Sequence, residues 1–355
     1  MIKAAVIGVG HMGSNHVRVY AEMEAVKLVA VADPDEASSW KATHSYRLNF
    51  YTDYRRMLDQ EKPDVVSLAV PTARHAEVAR EVIGRGVNLL IEKPLASTLA
   101  QGQHLLEIAK RNRVKLMVGH IERFNPAIIE IKRRLEKQKL GRVFQVHARR
   151  LGPFPNRVQD VGVVLDLATH DIDVMHYLLD SEVERVYAEF ERKAHGSCED
   201  LLSGLLRFRN GVIGVLDVNW LTPTKVRQLA VLGEGGMYLA DYLTQDVYWY
   251  KNRSVTETGD TLSFFRGVWE GDMVKAHVQK KEPLRAELES FVAAVIEDRE
   301  PLINGHDGLV AMELAQTLIE SGRKHVAIQC GRNGSEYAEI SGQKCAGDRW
   351  SRVHR

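Results

Sequence analysis

Lys93 and the pair Asp166 and His170 are the side chains in this sequence whose types and spacing could carry proton or charge chemistry. Lys93 ends a mostly apolar run, Asn88-Leu89-Leu90-Ile91-Glu92, and Pro94 follows it. Proline keeps the residue before it extended and removes a backbone donor, which fixes where the lysine side chain points. Asp166 and His170 are four residues apart in a stretch, Asp166 to Leu179, that reads as a helix. At that spacing both project from one face and can touch. A histidine near its ordinary pKa is the natural proton acceptor at neutral pH. Taken singly, the same residues also fit a solvated strand-end lysine, a capping aspartate and a half-buried histidine. Asp171 and Asp173 lie close by, but no second histidine or glutamate has ligand spacing, so no metal is expected.

These groups need elements to hold them, and the first is the N-terminus. Ile2 to Ile7 is a short β-rich run, Gly8-Val9-Gly10-His11-Met12-Gly13 follows at once, and Ser14 to Met23 is compatible with a helix. Strand, glycine turn and helix in that order form a dinucleotide site. Gly8 permits the turn, Gly10 lets backbone approach a pyrophosphate, and Gly13 lets helix and strand pack closely. The free N–H groups of the helix start favour phosphate. A second strand, Lys27 to Ala32, ends in Asp33, which is placed to take the ribose hydroxyls of NAD and to repel the extra phosphate of NADP. Strands then alternate with helices. Asn49–Tyr51, Asp64–Val70, Asn88–Lys93 and Lys115–His120 read as strands. Glu36–Tyr46, a short turn capped by Thr52, His75–Gly84 and Ser97–Arg111 read as helices. This is a doubly wound parallel sheet, in which ligands sit beyond the strand C-termini. The glycine loop with His11 and Met12, Asp33, the stretch Val70-Pro71-Thr72 with His75, the pair Glu92 and Lys93, and His120 all fall there. One NAD crevice is expected to use them all.

After about Arg123 the pattern changes. Helices over Pro126–Lys137 and Asp166–Leu179 flank alternating stretches at Val143–Leu151, Val186–Arg192, Leu202–Phe208, Val212–Trp220, Gln228–Leu232 and Tyr238–Tyr242. Asn210-Gly211 is a hairpin signal and Glu234-Gly235-Gly236 another turn. Helices over Leu284–Glu297 and Gly308–Gly322 follow. The expected division is an α/β Rossmann domain over 1–122, an α+β domain with an open, mostly antiparallel sheet over 123–325, and an irregular tail over 326–355.

A chain of 355 residues is long enough for about two cores. Its 45% hydrophobic and 27% charged content is that of a soluble protein. A net charge of +1 gives no reason to expect nucleic acid or a membrane surface as partner. No apolar run is long enough to span a bilayer, and the first residues read as a strand rather than a signal peptide. Three widely spaced cysteines suit a reducing cytoplasm.

Gly8-x-Gly10-x-x-Gly13, Glu92-Lys93-Pro94 and Asp166-x-x-x-His170, in that order, resemble the Gfo/Idh/MocA family of sugar oxidoreductases from Ile2 to about Arg323. The resemblance implies that Lys93, Asp166 and His170 form the catalytic group, and that the open sheet packs in homodimers or homotetramers. A narrower resemblance lies in Gly119 to Pro126, Asp160 to Asp173 and Trp220 to Arg227, which are similar to the branch that oxidises UDP-sugars. The double glycine common before the Asp-x-x-x-His motif elsewhere in the family is here Val161-Gly162-Val163, as in that branch. The implied reaction is NAD-dependent oxidation of the C3 hydroxyl of UDP-N-acetylglucosamine to the 3-keto sugar. Alternatives are another sugar or inositol dehydrogenase, or a non-catalytic NAD-binding regulator. The resemblance brings Asn125 and Thr169 to the substrate beside Lys93, Asp166 and His170. Arg123, Arg149, Arg157, Lys225 and Arg227 are candidates for a diphosphate, since a guanidinium fork suits phosphate. Of Arg149 and Arg150, only one can face the pocket, because strand neighbours point opposite ways. Trp220 and Tyr242 could stack on uracil or simply pack.

Overall fold

The computed structural model describes residues 1–35, 46, 48–155, 162–194, 198–253 and 269–331. Its first sheet has six strands: β1 (Ile2–Ile7), β2 (Val26–Ala32), β3 (Asn49–Tyr51), β4 (Val65–Leu68), β5 (Asn88–Glu92) and β6 (Leu116–Gly119). All pair in parallel in the order β3-β2-β1-β4-β5-β6. The order reverses between β1 and β4, and a crevice opens there beyond the strand ends. Most residues of β1, β4 and β5 are buried, as a sheet covered on both faces requires.

Gly8 leaves β1 at this reversal with φ +86, and a Cβ there would lie 2.6 Å from the carbonyl oxygen of Ala69. Gly13, in the helix His11–Glu22, backs onto Gly8 so closely that a Cβ would fall on the Gly8 carbonyl oxygen. Gly10 differs: a Cβ there would meet nothing within 4 Å. Two glycines thus serve the turn and the packing, and the third leaves open space.

The second sheet has nine strands: β7 (Val143–Pro153), β8 (Val183–Glu191), β9 (Leu201–Phe208), β10 (Ile213–Asn219), β11 (Leu221–Gly233), β12 (Gly236–Asp241), β13 (Asp246–Arg253), β14 (Trp269–Lys275) and β15 (Ile328–Gln329). Their order is β14-β13-β12-β11-β7-β10-β9-β8-β15. All neighbours are antiparallel except β7 and β10. The turns at Asn210-Gly211 and at Glu234-Gly235-Gly236 join β9 to β10 and β11 to β12 as hairpins. One sheet face is covered by the helices Thr169–Leu179 and Gly305–Lys324. The other keeps exposed side chains at alternate positions.

Several boundaries differ from the sequence reading. Asp53, not Thr52, caps the helix Tyr54–Glu61, accepting from the Arg55 N–H. The helix expected from Ser97 begins at Leu99 with Thr98 as its cap, while the Ser97 hydroxyl donates to Thr72 O. The helix expected from His75 begins at Thr72, straight after Pro71. The stretch from Asp166 is not one α-helix: Val164–Ala168 is a π turn that runs into the helix Thr169–Leu179. The helix Pro283–Ile296, assigned by sequence to the second domain, sets Leu284, Leu288, Phe291 and Val292 in the first core. Ile328 is buried and pairs with Val186, so the chain is still in regular structure where an irregular tail was expected. The helix expected over 36–46 falls, Tyr46 apart, outside the described residues, as do 332–355.

Gly13→Ala is expected to cost about 2 kcal/mol, the ordinary range for overpacking, and to weaken NAD binding. Thermal unfolding with and without NAD measures both, and an unchanged Tm would contradict the packing argument.

Candidate active site

The crevice between β1 and β4 holds a cavity of about 600 Å³, lined by Gly8, Gly10, Asp33, Val70, Pro71 and Val78 among others. Asp33 ends β2, where one carboxylate oxygen accepts from the Val9 N–H at 2.8 Å and the other from the Asp35 N–H at 2.9 Å. A carboxylate has about four acceptor positions, so it retains capacity for ribose hydroxyls. His11 is exposed and Met12 half-buried at the helix start, with Val70 and Thr72 half-buried and Pro71 exposed across from them. The open space over Gly10, the helix N-terminus and the Asp33 carboxylate together fit a dinucleotide. His75 is a correction. It is 1% exposed, and its ring nitrogens lie 2.8 Å from Pro94 O and 2.8 Å from Val70 O. It ties the loops after β4 and β5 together and has no nitrogen left for a cofactor.

Lys93 follows β5 directly, and its ammonium leaves the first sheet for the π turn of the second domain. It donates to Asp166 Oδ1 at 2.8 Å and to the Asp166 backbone oxygen at 2.9 Å. Both side chains are less than one-fifth exposed. His170 lies four residues on, in the first turn of Thr169–Leu179. Burial first, and then the Lys93 and Arg150 charges, push its imidazole well below the usual value. Its Nδ1 is buried without a partner among the described residues. The His120 ring, at the end of β6, meets the His170 ring edge-on at 6.5 Å. Both His120 nitrogens are buried and unpartnered among the described residues, and burial holds this imidazole neutral too. Amine, carboxylate and imidazole therefore converge, as their sequence pattern implies. Two neutral imidazoles facing a donor cation can accept a proton or polarise a hydroxyl.

Of the polar residues chosen for substrate, Arg123, Asn125 and Thr169 have their side chains engaged within the fold. Arg123 is buried and bound to Asp173 at 2.6 and 2.8 Å and to Asp307 at 3.0 Å, which raises its pKa. Asn125 caps Pro126–Glu136, accepting from the Ala127 N–H, and donates to Tyr242 O. The Thr169 hydroxyl donates to Leu165 O one turn back. Arg149 is exposed and lies 3.7 Å from Asp217, its pairing partner in β10. Its inward neighbour Arg150 is held by Asp171 at 2.8 Å and Glu122 at 2.8 Å. Arg157 lies outside the described residues. Lys225 is exposed. Trp220 packs against Phe154 at 5.5 Å, and Arg150 sits over the Tyr242 ring, so neither aromatic is open for stacking.

Arg227 remains. It is half-buried and donates only to the carbonyls of Leu151 and Val226, with no carboxylate within salt-bridge distance among the described residues. Burial first, then repulsion from Arg150, bring its pKa down to about 10, so it is still a cation at neutral pH. Its charge acts on both Asp166 and His170. Sequence reasoning missed the partner of Glu92. His16 is fully buried, and its Nε2 lies 2.9 Å from Glu92 Oε1. The available signal was a histidine three residues past Gly13 on the inner face of the first helix.

Two family models cover most of this architecture. Residues 2–120 match the NAD-binding Rossmann domain of the GFO/IDH/MocA oxidoreductase family, and 128–239 match the GFO/IDH/MocA C-terminal domain. The chain belongs to the Gfo/Idh/MocA family. Its first domain is accordingly an NAD-binding Rossmann domain, and NAD is the cofactor. Members of this family among its relatives are sugar and polyol dehydrogenases. The UDP-N-acetylglucosamine 3-dehydrogenase of Acidithiobacillus ferrooxidans is 27% identical over 307 residues, 86% of this chain and 93% of that one. Its solved structure superposes with a TM-score of 0.79, covering 90% of this chain and 97% of the other at 26% identity. The scyllo-inositol 2-dehydrogenase (NAD(+)) of Bacillus subtilis is 22% identical over 342 residues, 92% of this chain and 96% of that protein. The WlbA dehydrogenase of Bordetella pertussis, solved with NADH and UDP-GlcNAcA, shares the fold at a TM-score of 0.76 and 23% identity, covering 93% and 99%.

Histidine NMR of the free protein tests the electrostatics of the site. The His170 ring is expected to stay neutral as pH falls through about 6.5, the ordinary imidazole value, and to titrate only well below it. A midpoint at or above that value would contradict the burial and the nearby cations.

Proposed function

We propose that this Gfo/Idh/MocA member oxidises the C3 hydroxyl of a UDP-linked amino sugar, UDP-N-acetylglucosamine, to the 3-keto sugar. The observation that carries the reading is the Lys93–Asp166 contact, with the neutral His170 beside it. Bound NAD supplies the hydride acceptor. Gly8, Gly10, Gly13 and Asp33 hold it, with Val70, Pro71 and Thr72 along one wall. The sugar lies between the domains. His170 takes the hydroxyl proton, for which a neutral imidazole is needed at the start. Lys93 donates to the same oxygen and stabilises the charge that develops on it. Asp166 holds Lys93 through two acceptor atoms and so fixes where that donor points. His120, with both nitrogens unpartnered, offers one further polar contact to cofactor or sugar.

Arg227 supports an anionic substrate. A cation brought near the reacting groups without a carboxylate partner favours a ligand that brings negative charge, such as a diphosphate. The near-full-length similarity to a UDP-N-acetylglucosamine 3-dehydrogenase agrees with this. The similarity to inositol dehydrogenases supports a second reading, a cyclitol or free-sugar dehydrogenase. A non-catalytic NAD-binding regulator is disfavoured, because all three reacting groups are present and assembled.

A homodimer or homotetramer through the uncovered sheet face is part of the proposal. One row across that face runs Met273, Tyr250, Met237, Leu232, Gln145 and Ile213 by strand register. Four of these, Met273, Tyr250, Leu232 and Ile213, are exposed large apolar side chains, more than a lone surface residue needs.

A panel of UDP-N-acetylglucosamine, myo-inositol and free hexoses with NAD, followed through NADH absorbance, decides the substrate. The proposal expects kcat/KM for the UDP-sugar to lead by about a hundredfold or more. It also expects Arg227→Ala to raise KM for the UDP-sugar about tenfold or more, the worth of a charge-assisted hydrogen bond, and to leave inositol turnover unchanged. A lead for inositol, or an Arg227→Ala effect equal on both, would overturn it.

A further inference from the structure

Lys93 grips the backbone of the π turn as well as a side chain. Its ammonium donates to the Asp166 carbonyl at 2.9 Å and to the Asp166 carboxylate at 2.8 Å. A shift of that turn therefore moves both of the acceptors that aim Lys93. π turns are short and weakly self-supporting, so something outside must set where this one begins. Its start carries free N–H groups, as every helical start does. The Val163 N–H donates to the Glu199 backbone oxygen at 2.9 Å, and the Val164 N–H donates to Glu199 Oε1 at 3.3 Å. Glu199 is 7% exposed.

Glu199 is in turn tied to the second sheet. Its neighbour Asp200 donates its N–H to Glu191 O at 3.0 Å, at the end of β8, and accepts from the Trp220 N–H at 2.9 Å, between β10 and β11. Leu201 then opens β9. The Glu199 carboxylate also occupies the place where a Cβ on Gly162 would stand. Asp166 donates its own N–H to Gly162 O at 3.1 Å, which links that glycine directly to the acid. Gly162 is thus explained by the carboxylate beside it and not by its backbone angles.

We propose that Glu199 is a positioning residue for the reaction: its carboxylate, seated against Gly162, sets the start of the π turn and through it the aim of Lys93. It touches no reacting atom. The inference rests on the reading of Lys93 and Asp166 as catalytic, and it names a control on them that neither the glycine loop nor the Asp-x-x-x-His pattern contains. Because the carboxylate is the far end of a flexible side chain, a methyl group at Gly162 would displace it rather than break the fold. Gly162→Ala and Glu199→Ala should therefore do the same damage by the same route.

The test uses five variants of the full chain: Glu199→Gln, Glu199→Ala, Gly162→Ala, the double Gly162→Ala with Glu199→Ala, and Asp166→Ala as reference. For each, kcat, KM for the sugar, NAD affinity and Tm are measured. Glu199→Ala and Gly162→Ala are each expected to lower kcat about fivefold, the worth of one lost cap, with NAD affinity and KM nearly unchanged. Glu199→Gln should keep kcat within about twofold, since the amide oxygen still accepts from the Val164 N–H. The double variant should be no worse than either single one. An unchanged kcat in Glu199→Ala, or a double variant whose losses multiply, would overturn the inference. A drop in Tm and NAD affinity that parallels the drop in kcat would overturn it too, by making Glu199 merely structural. If Asp166→Ala itself turned over normally, the catalytic reading would fail and this inference with it, whereas a slow Asp166→Ala beside an unchanged Glu199→Ala would overturn the inference alone.

Discussion

The contact between Lys93 and Asp166 is the constraint on which the rest of the site depends. It crosses from the C-terminal end of β5 in one sheet to a helical turn of the second domain, so it is a tertiary contact in the full sense. Both groups are mostly withdrawn from water, where a lone charge is costly and a paired one tolerable. Desolvation also makes the pair informative. Its two acceptor atoms fix the direction of the amine, and a catalytic donor must be aimed before the reaction begins. The domains meet where this contact lies, and the helix Pro283–Ile296 returns to the first core to hold them together.

Around that contact, charge is divided into groups that are consumed and groups that are left over. Arg123 is taken up by Asp173 and Asp307, Arg150 by Asp171 and Glu122, and His16 by Glu92. Each set is buried, and such sets specify a geometry more reliably than they stabilise it. Among the described residues, the Arg227 guanidinium has no carboxylate partner, and the His120 ring and the His170 Nδ1 have no hydrogen-bond partner. A site made from the remainder can address an anion and a proton at once. Burial is the main reason His170 is neutral, and the nearby cations Lys93, Arg150 and Arg227 add to it.

The glycine loop was legible because each glycine answers a separate local demand, and those demands recur in any strand-turn-helix of this type. The alternation of strands and helices was legible because it is written in spacing, whereas the grouping of Lys93, Asp166 and His170 came from the family resemblance. The substrate arginines were not. Whether Arg123 meets a phosphate or an aspartate is decided by Asp173 and Asp307, which are 50 and 184 residues away. Composition cannot show that. The π turn was missed because an Asp-x-x-x-His spacing reads as an ordinary helical face. Strands β13 and β14 were missed because Asp246–Arg253 and Trp269–Lys275 mix charged and aromatic residues without a clean apolar alternation. The cap at Asp53 lay one residue from the one assigned, within the ordinary spread of helix ends.

A double-mutant cycle on kcat tests the central contact most directly, with Lys93→Met, Asp166→Asn and the two combined, each checked for unchanged NAD affinity. If Lys93 works only as Asp166 aims it, the pair acts as one unit. The double variant should then be about as slow as Lys93→Met alone, each at least about a thousandfold below the unsubstituted protein. Losses that multiply, or a Lys93→Met variant that keeps its kcat, would show that the contact holds the two domains together but does not drive the reaction.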